Sequence, residues 1–348
     1  MIEVDGSVKS GSGTLLRHGV SLATLLADEL HMWNIRAGRD KPGLRHQHRQ
    51  AVLSCRDMSR GAVEGVEVGS TEIRYRPGEE IRGGYYDWDI GTGGSTTMLA
   101  MTVLPLACFA GEPTAFRLSG GLFQDFAPSA YHMKYVLFPA LRKMGINAHL
   151  EMERPGYAEQ GGGVIKVTVK PVAGKIAAVK LLRCGEISGV KGVALSSHLK
   201  QIRVSDRMGN ECDRVLKQAG YDARIEPIYD TMAGHEGAAL AIWAEASGCF
   251  FGSDRAGRKG RRAEGIGSYV AKNLIEDINS GATVDRFLAD QLIIYAALAE
   301  GVTEYIIPRV TDHIVANLWL VEHVLNRFGA KTEIAGNRLK VWGVGYCR

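Results

Sequence analysis

Apolar residues along this chain recur with two periods, and the order in which the periods alternate repeats itself. Ile2-Glu-Val reads as a strand, a Gly/Ser loop runs from Asp5 to Gly13, and helical spacing predicts a helix over about 14–27. A strand through Met32–Arg36 follows, then a helix that Pro42 helps to start and that runs to about 59, then strands at about 62–68 and 71–76 ending in Arg76-Pro-Gly78. Trp88-Asp-Ile-Gly-Thr-Gly-Gly-Ser95 leads into a helix from Thr96 to Phe109. The strand Ala115–Ser119 closes in Gly120-Gly121, Pro128 precedes a helix over about 129–144, and strands run to Arg154-Pro-Gly156. Gly38 and Gly121 are 83 residues apart, and Gly78 and Gly156 are 78 apart. The C-terminal end has the same order: helix about 283–299, strand 303–307, helix 312–327, strands 331–336 and 338–343.

Three such units, each laying two helices on a sheet face that one unit buries poorly alone, predict an α/β (α+β) fold. About 110 residues between the second and third units break the pattern. Strands flank Gly161-Gly-Gly163, and Lys166–Lys170 alternates as a strand. From about Cys184 a βαββα order predicts strands near 189–194, 222–228 and 238–246 and helices near 199–218 and 263–280. The expected division is 1–183 for units 1 and 2, 184–280 for a small inserted α/β domain, and 281–348 for unit 3.

One stretch concentrates chemistry. Ile306-Ile307 ends a strand at Pro308; Thr311 or Asp312 is a good helix N-cap; Ile314, Val315, Leu318, Val321 and Leu325 then recur at helical spacing. His313 therefore falls in a first helical turn, where unpaired N–H groups favour an anion. A neutral imidazole there is either a phosphoryl or nucleotidyl acceptor or a helix-start histidine with a satisfied hydrogen bond.

Composition changes this picture little. The chain has 348 residues, 45% hydrophobic and 23% charged, with a net charge of +4, which is ordinary for a soluble globular protein. The charge is unevenly placed. Residues 36–49 hold four arginines, one lysine and two histidines, and Arg36 and Arg39 sit on a turn where forked guanidiniums suit a terminal phosphate. Arg255–Arg262 is a second basic run, either a solvated loop or a contact for a nucleic-acid backbone. Six scattered cysteines without a C-x-x-C pair argue against zinc or a disulfide framework and suit a reducing cytoplasm. The N-terminus reads as a strand rather than a signal peptide, and no segment is apolar enough to span a membrane.

Over essentially its whole length the sequence resembles the RNA 3′-terminal phosphate cyclases. The motifs that carry the resemblance are Asp5-Gly-Ser with Gly11, Gly13 and Leu16-Arg17; Asn34-Ile-Arg-Ala-Gly-Arg-Asp-Lys-Pro-Gly-Leu44 with Gln47; and Asp89-Ile-Gly-Thr-Gly-Gly-Ser95. Ala127-Pro128, Gly161-Gly-Gly163, Leu288-Ala-Asp-Gln-Leu292 and Thr311-Asp-His-Ile-Val-Ala-Asn317 complete them. The resemblance implies three repeated units of two helices on a four-stranded sheet, with a small inserted domain. It also implies an ATP-dependent reaction assisted by Mg2+ or Mn2+. His313 would be adenylylated, the AMP would pass to an RNA 3′-terminal phosphate, and the vicinal 2′-OH would close a 2′,3′-cyclic phosphate.

Carried over by position, Arg17, Arg36, Arg39 and Gln47 belong around the phosphates. Asp290, with Gln291 beside it, supports the adenosine end or orients the histidine. The resemblance implies that Phe287 stacks on adenine with Pro128 opposite. Read instead as plain structure, Phe287 is core packing, Asp290 a helix-end acceptor and Arg17 a surface ion pair.

Some positions depart from the family. The opening loop is Lys9-Ser10-Gly11-Ser12-Gly13-Thr14, where the family usually has G-E-G-G-G-Q. Met101 replaces a frequent glutamine, and His132 a common aromatic near the adenine. The alternatives are a non-catalytic RNA-binding relative of the ribosome-biogenesis kind, which lacks the nucleophile, or a histidine-adenylylating enzyme for another phosphorylated substrate. The repeat also resembles the enolpyruvyl transferases in architecture, but the motifs do not point there.

Overall fold

The structure is a computed structural model, and it describes residues 1–348 apart from Ser10, Phe126 and Glu159. The loop departure at Ser10 therefore lies outside the described residues.

The first unit consists of β1 (Ile2–Asp5), α1 (Gly13–Leu26), β2 (Leu30–Trp33), α2 (His46–Ser59), β3 (Ala62–Glu64) and β4 (Ile73–Arg76), with sheet order β1-β2-β4-β3. The second has β5 (Gly84–Asp89), α3 (Thr96–Cys108) and β6 (Thr114–Gly120). Its second helix is split into α4 (Ala130–His132), a π-helical turn over Met133–Leu137 and α5 (Phe138–Lys143), and β7 (Asn147–Arg154) and β8 (Gly163–Lys170) follow in the order β5-β6-β8-β7. The third sheet takes its first strand, β9 (Lys180–Leu181), from before the insertion.

The insertion holds β10 (Ile187–Ser197), α6 (Val204–Gln218), β11 (Ala223–Asp230), β12 (Gly237–Ala246), β13 (Gly252–Ala256) and α7 (Ala263–Asn279). The third unit then resumes with α8 (Leu288–Leu298), β14 (Glu300–Ile306), α9 (Asp312–Leu325), β15 (Lys331–Ala335) and β16 (Arg338–Val344), in sheet order β9-β14-β16-β15. Each repeat thus pairs its first two strands in parallel and adds the remaining two antiparallel. Among the described residues the strands make four four-stranded sheets.

Helices α3 and α8 are apolar almost all round and bury nearly every residue, as a helix must when packed on more than one side. They form the centre of the large core.

Local chemistry moves several expected boundaries. The helix expected from 283 starts at Leu288, because the Asp285 carboxylate accepts from the N–H groups of Phe287 and Leu288 at 2.7 and 2.8 Å. The strand expected to reach Arg36 stops at Trp33, since Asn34 and Arg36 adopt positive φ. The helix near Pro42 begins only at His46. The insertion gains a fourth strand, β13, antiparallel to β12, so its order is βαβββα, and the second basic run starts in a strand.

The cysteine reading needs correction. Cys184 and Cys249 form a disulfide although they are 65 residues apart. Gly185 N–H donates to the Ser247 carbonyl at 2.8 Å, which lays the two segments side by side and brings the Cα atoms to 5.0 Å. That proximity is created by the sheet and leaves no mark in the spacing. Cys55, Cys108 and Cys212 are free and buried. No helix among the described residues is long and apolar enough to cross a membrane.

Candidate active site

A cavity of about 470 Å3 is lined from the first turns of α1, α2, α8 and α9, from α3, and from the loop before α4. That volume suits a nucleotide-sized ligand. Of the residues singled out from sequence, it gathers His313, Asp290, Arg17, Arg36, Arg39, Gln47, Phe287, Gln291, Pro128 and Met101. His132 is the exception and is absent from the lining.

On α1, Thr14, Arg17 and His18 share one helical face. Arg17 is only 9% exposed, and no carboxylate or carbonyl among the described residues holds its guanidinium. It is therefore not a surface ion pair. Burial pushes its pKa down to about 10, although Asp290 pulls the other way. His18 is pushed to about 3 by burial, then by Arg17 and His313, so it is neutral, and its Nδ1 has no partner among the described residues.

Gly13 must be glycine, because a Cβ there would lie 2.2 Å from His48 Nε2. His48 is buried and accepts the Arg45 N–H on Nδ1 at 3.2 Å. Burial first, then the neighbouring arginines, keep it neutral.

The turn after β2 aims the next cations. Arg36 donates through Nη1 to the carbonyls of Lys41 and Gly43, both at 2.8 Å, while Arg39 is exposed and unpaired among the described residues. Gln47 Oε1 accepts the Ser95 N–H at 2.8 Å. This ties α2 to the glycine loop before α3 and leaves the Gln47 amide N–H groups for the cavity.

Thr311, not Asp312, caps α9, accepting the Ile314 N–H at 3.3 Å. His313 stands in that first turn, exposed, with no hydrogen-bond partner among the described residues. Desolvation, then Arg17 and Arg39, hold its pKa below the usual histidine value against Asp312. Solvent tempers the first cause, yet the arginines act in the same direction, so the ring is neutral near pH 7.

Asp290 makes no hydrogen bond to His313. Burial pushes its carboxyl up to about 7, with Arg17 opposing. The two helices are joined one turn further on by Asn317. It accepts the Thr14 hydroxyl at 2.9 Å and donates to the Asp290 carbonyl at 3.2 Å.

The far wall is apolar with a few polar atoms to spare. Phe287, Pro128, Met98, Met101 and Ile294 line it, and the buried Gln291 Oε1 and Tyr295 hydroxyl lack partners among the described residues. His132 lies behind this wall. Its Nε2 pairs with Asp285 at 3.0 Å, and its ring meets Phe287 edge-on at 5.8 Å. It supports Phe287 from the core because the Asp285 carboxylate draws the imidazole inward.

His18, His48, Tyr295, Arg286 and Arg309 also line the cavity and escaped the sequence reading. Extending each motif along its helical face would have found two of them, since His18 follows Thr14 by four residues and Tyr295 follows Gln291 by four. Arg286 is engaged elsewhere, by Asp277 and Glu276.

Among the described residues no three His, Cys, Asp or Glu side chains cluster to hold a metal ion. The lining carboxylates described are Asp125, held by Arg261, and Asp290. The described side chains thus offer no cage for Mg2+ or Mn2+.

The sequence model of the RNA 3′-terminal phosphate cyclase family matches residues 8–329. This chain belongs to that family. Relatives named RNA 3′-terminal phosphate cyclase include one from Pyrococcus furiosus, 33% identical over 97% of this chain and 96% of its own. One from Archaeoglobus fulgidus is 36% identical over 97% and 99%, and one from Nitrosospira multiformis 36% identical over 93% and 92%.

Proposed function

We propose that this chain converts an RNA 3′-terminal phosphate to a 2′,3′-cyclic phosphate, using ATP and a covalent His313–AMP. The observation that carries the reading is an accessible, neutral His313 in a helix first turn beside the buried, unpaired guanidinium of Arg17. A buried charge without a partner is costly, and a phosphate supplies the partner.

ATP enters with its base against Phe287 and Pro128, within reach of Gln291 Oε1 and the Tyr295 hydroxyl, and its phosphates toward Arg17, Arg36 and Arg39. The His313 nitrogen attacks the α-phosphorus, the bond to the bridging oxygen breaks, and pyrophosphate leaves. An oxygen of the RNA 3′-phosphate then takes the adenylyl group as the phosphorus–nitrogen bond breaks. This activation is needed because a phosphate monoester offers its neighbouring hydroxyl no good leaving group. The 2′-OH attacks the 3′-phosphorus and releases AMP. Through these steps the cations stabilise charge on phosphoryl oxygens, and the low basicity of His313 keeps its lone pair available. The described side chains offer no cage for Mg2+ or Mn2+, and no step is assigned to a metal. ATP and RNA meet in the cytoplasm, which is the setting this reading carries.

The test is incubation with α-labelled ATP without RNA, beside His313→Ala. Label that is acid-labile, alkali-stable and absent from the variant is expected, and 3′-phosphorylated RNA should discharge it as AMP. No label with ATP or GTP would overturn the reading in favour of a non-catalytic RNA-binding relative. Label that RNA does not discharge would indicate another phosphorylated acceptor.

A further inference from the structure

The run Arg255–Arg262 places five cations in eight residues, and they divide into two sets. Arg261 grips Asp125 with both terminal nitrogens at 2.6 and 2.7 Å, and Arg255 lies 3.7 Å from the same carboxylate. Asp125 lines the cavity just before Ala127 and Pro128, so the turn after β13 is fastened to the cavity rim. Arg258, Lys259 and Arg262 are exposed and make no hydrogen bond or ion pair with a carboxylate among the described residues, although the charges of Arg258 and Arg262 are felt by Asp125 and Glu264. Elsewhere in the insertion, Lys191, Arg203, Arg207, Arg214 and Lys217 each hold a carboxylate. Two helical turns beyond Arg262, Tyr269 is 42% exposed, with the Arg255 guanidinium 3.7 Å from its ring centre.

Unpaired cations beside an exposed aromatic are what a single-stranded nucleic acid needs, charge for its phosphates and a face for a base. We infer that this tip of the insertion binds the single-stranded RNA leading to the 3′ end in the cavity, with Tyr269 as a stacking surface. The inference rests on the proposed function, which puts the RNA 3′ end at that rim.

The experiment measures binding by fluorescence anisotropy of a 3′-phosphorylated RNA of about twenty nucleotides, longer than a usual single-strand site, across a salt series. It compares the unaltered chain with the combined Arg258→Ala, Lys259→Ala, Arg262→Ala variant and with Tyr269→Ala and Tyr269→Phe. At about 0.7 per single-strand phosphate, loss of three contacts makes the salt slope shallower by about 2. The unaltered chain then loses roughly twenty-fold more affinity than the triple variant between about 50 and 200 mM salt. Tyr269→Ala weakens binding about ten-fold, and Tyr269→Phe restores it. A 3′-phosphorylated dinucleotide, which lacks the upstream single strand, binds all the variants alike.

An unchanged salt slope in the triple variant overturns the inference, and so does an equal loss of dinucleotide binding. So does a slope that changes for an acidic peptide but not for RNA. Labelling of His313 needs no RNA, so its success or failure judges the proposed function separately.

Discussion

Replacing Arg17 by methionine should make the ligand-free protein more stable while removing its response to nucleotide. The guanidinium is 9% exposed and unpaired among the described residues, and its fall to about 10 corresponds to roughly 3 kcal/mol held against the empty fold. The sign follows from linkage. A base whose folded pKa lies below its unfolded one destabilises the fold while charged. The penalty is therefore fully present at all pH values below about 10 and is relieved only above it. Methionine keeps the length of the stem and drops the charge, so after imperfect packing a net gain of about 1–2 kcal/mol is expected, a few degrees in Tm.

Ligand reverses the order. Denaturant unfolding of the unaltered chain with ATP at about 100 times its Kd should show roughly 2.7 kcal/mol of added stability. Losing a charge-assisted phosphate contact of about 2–5 kcal/mol weakens binding some thirty-fold or more, so the variant should show little gain at the same concentration. The unaltered protein thus starts less stable and gains more. An Arg17→Met protein that is less stable without ligand, or that ATP still stabilises fully, would show that Arg17 serves the fold and refute this reasoning.

The pH dependence of His313 labelling should show one limb near pH 7 from Asp290 and a separate one below the ordinary histidine value from His313; Asp290→Asn should remove only the first. Because the folded pKa of Asp290, about 7, lies above its ordinary value of 3.8, its contribution to stability is fully present at low pH and is lost as pH rises from about 4 through about 7, which denaturation across that range would register. Gly13→Ala pushes a Cβ into the buried His48 ring and should cost about 1–3 kcal/mol in unfolding and most of the labelling. Closing a 65-residue separation, the Cys184–Cys249 bond is worth up to about 4 kcal/mol on chain entropy, so Cys249→Ser or reductant should lower the stability of the insertion, while an unmoved transition would show that the bond does not form in solution.

The large elements were legible because each unit must bury a helix face and a sheet face. That requirement wrote the 3.6 and 2 periods into α1, α3, α9 and β8 and repeated them. β9 left no such trace, since its two residues are too few to show a period and belong to a sheet completed more than a hundred residues later. β13 was hidden because Ser253, Asp254 and Arg255 read as polar loop, yet Ser253 and Asp254 are buried, Asp254 accepting the Ser129 N–H at 2.7 Å. Arg17, Gln47, Asp290, Gln291 and His313 lie in or just beyond first helical turns, whose positions follow from the caps, and the structure brings them to one cavity. His132 was misplaced because its direction is set by Asp285, 153 residues away, and no local pattern encodes that.

The same geometry explains how a chain with little net charge builds a site for a polyanion. In each unit the first strand crosses to a parallel neighbour through a helix, and a second helix follows the second strand. The first turns of α1, α2, α8 and α9 all contribute to one cavity wall. A helix first turn carries about half a positive charge, although at α8 and α9 the Asp285 carboxylate and the Thr311 hydroxyl already take some of the N–H groups. Arg17, Arg36 and Arg39 therefore add to a field the backbone already supplies, and the side chains mostly decide where along it the phosphates stop. His313 rides on one of these turns, so the proposed nucleophile and the field proposed to hold its target are fixed by the same element. Asn317, one turn further along α9, locks that element to α1 and α8. A repeat of three ordinary units thus builds a single cavity, the proposed reaction centre, where their helix starts meet.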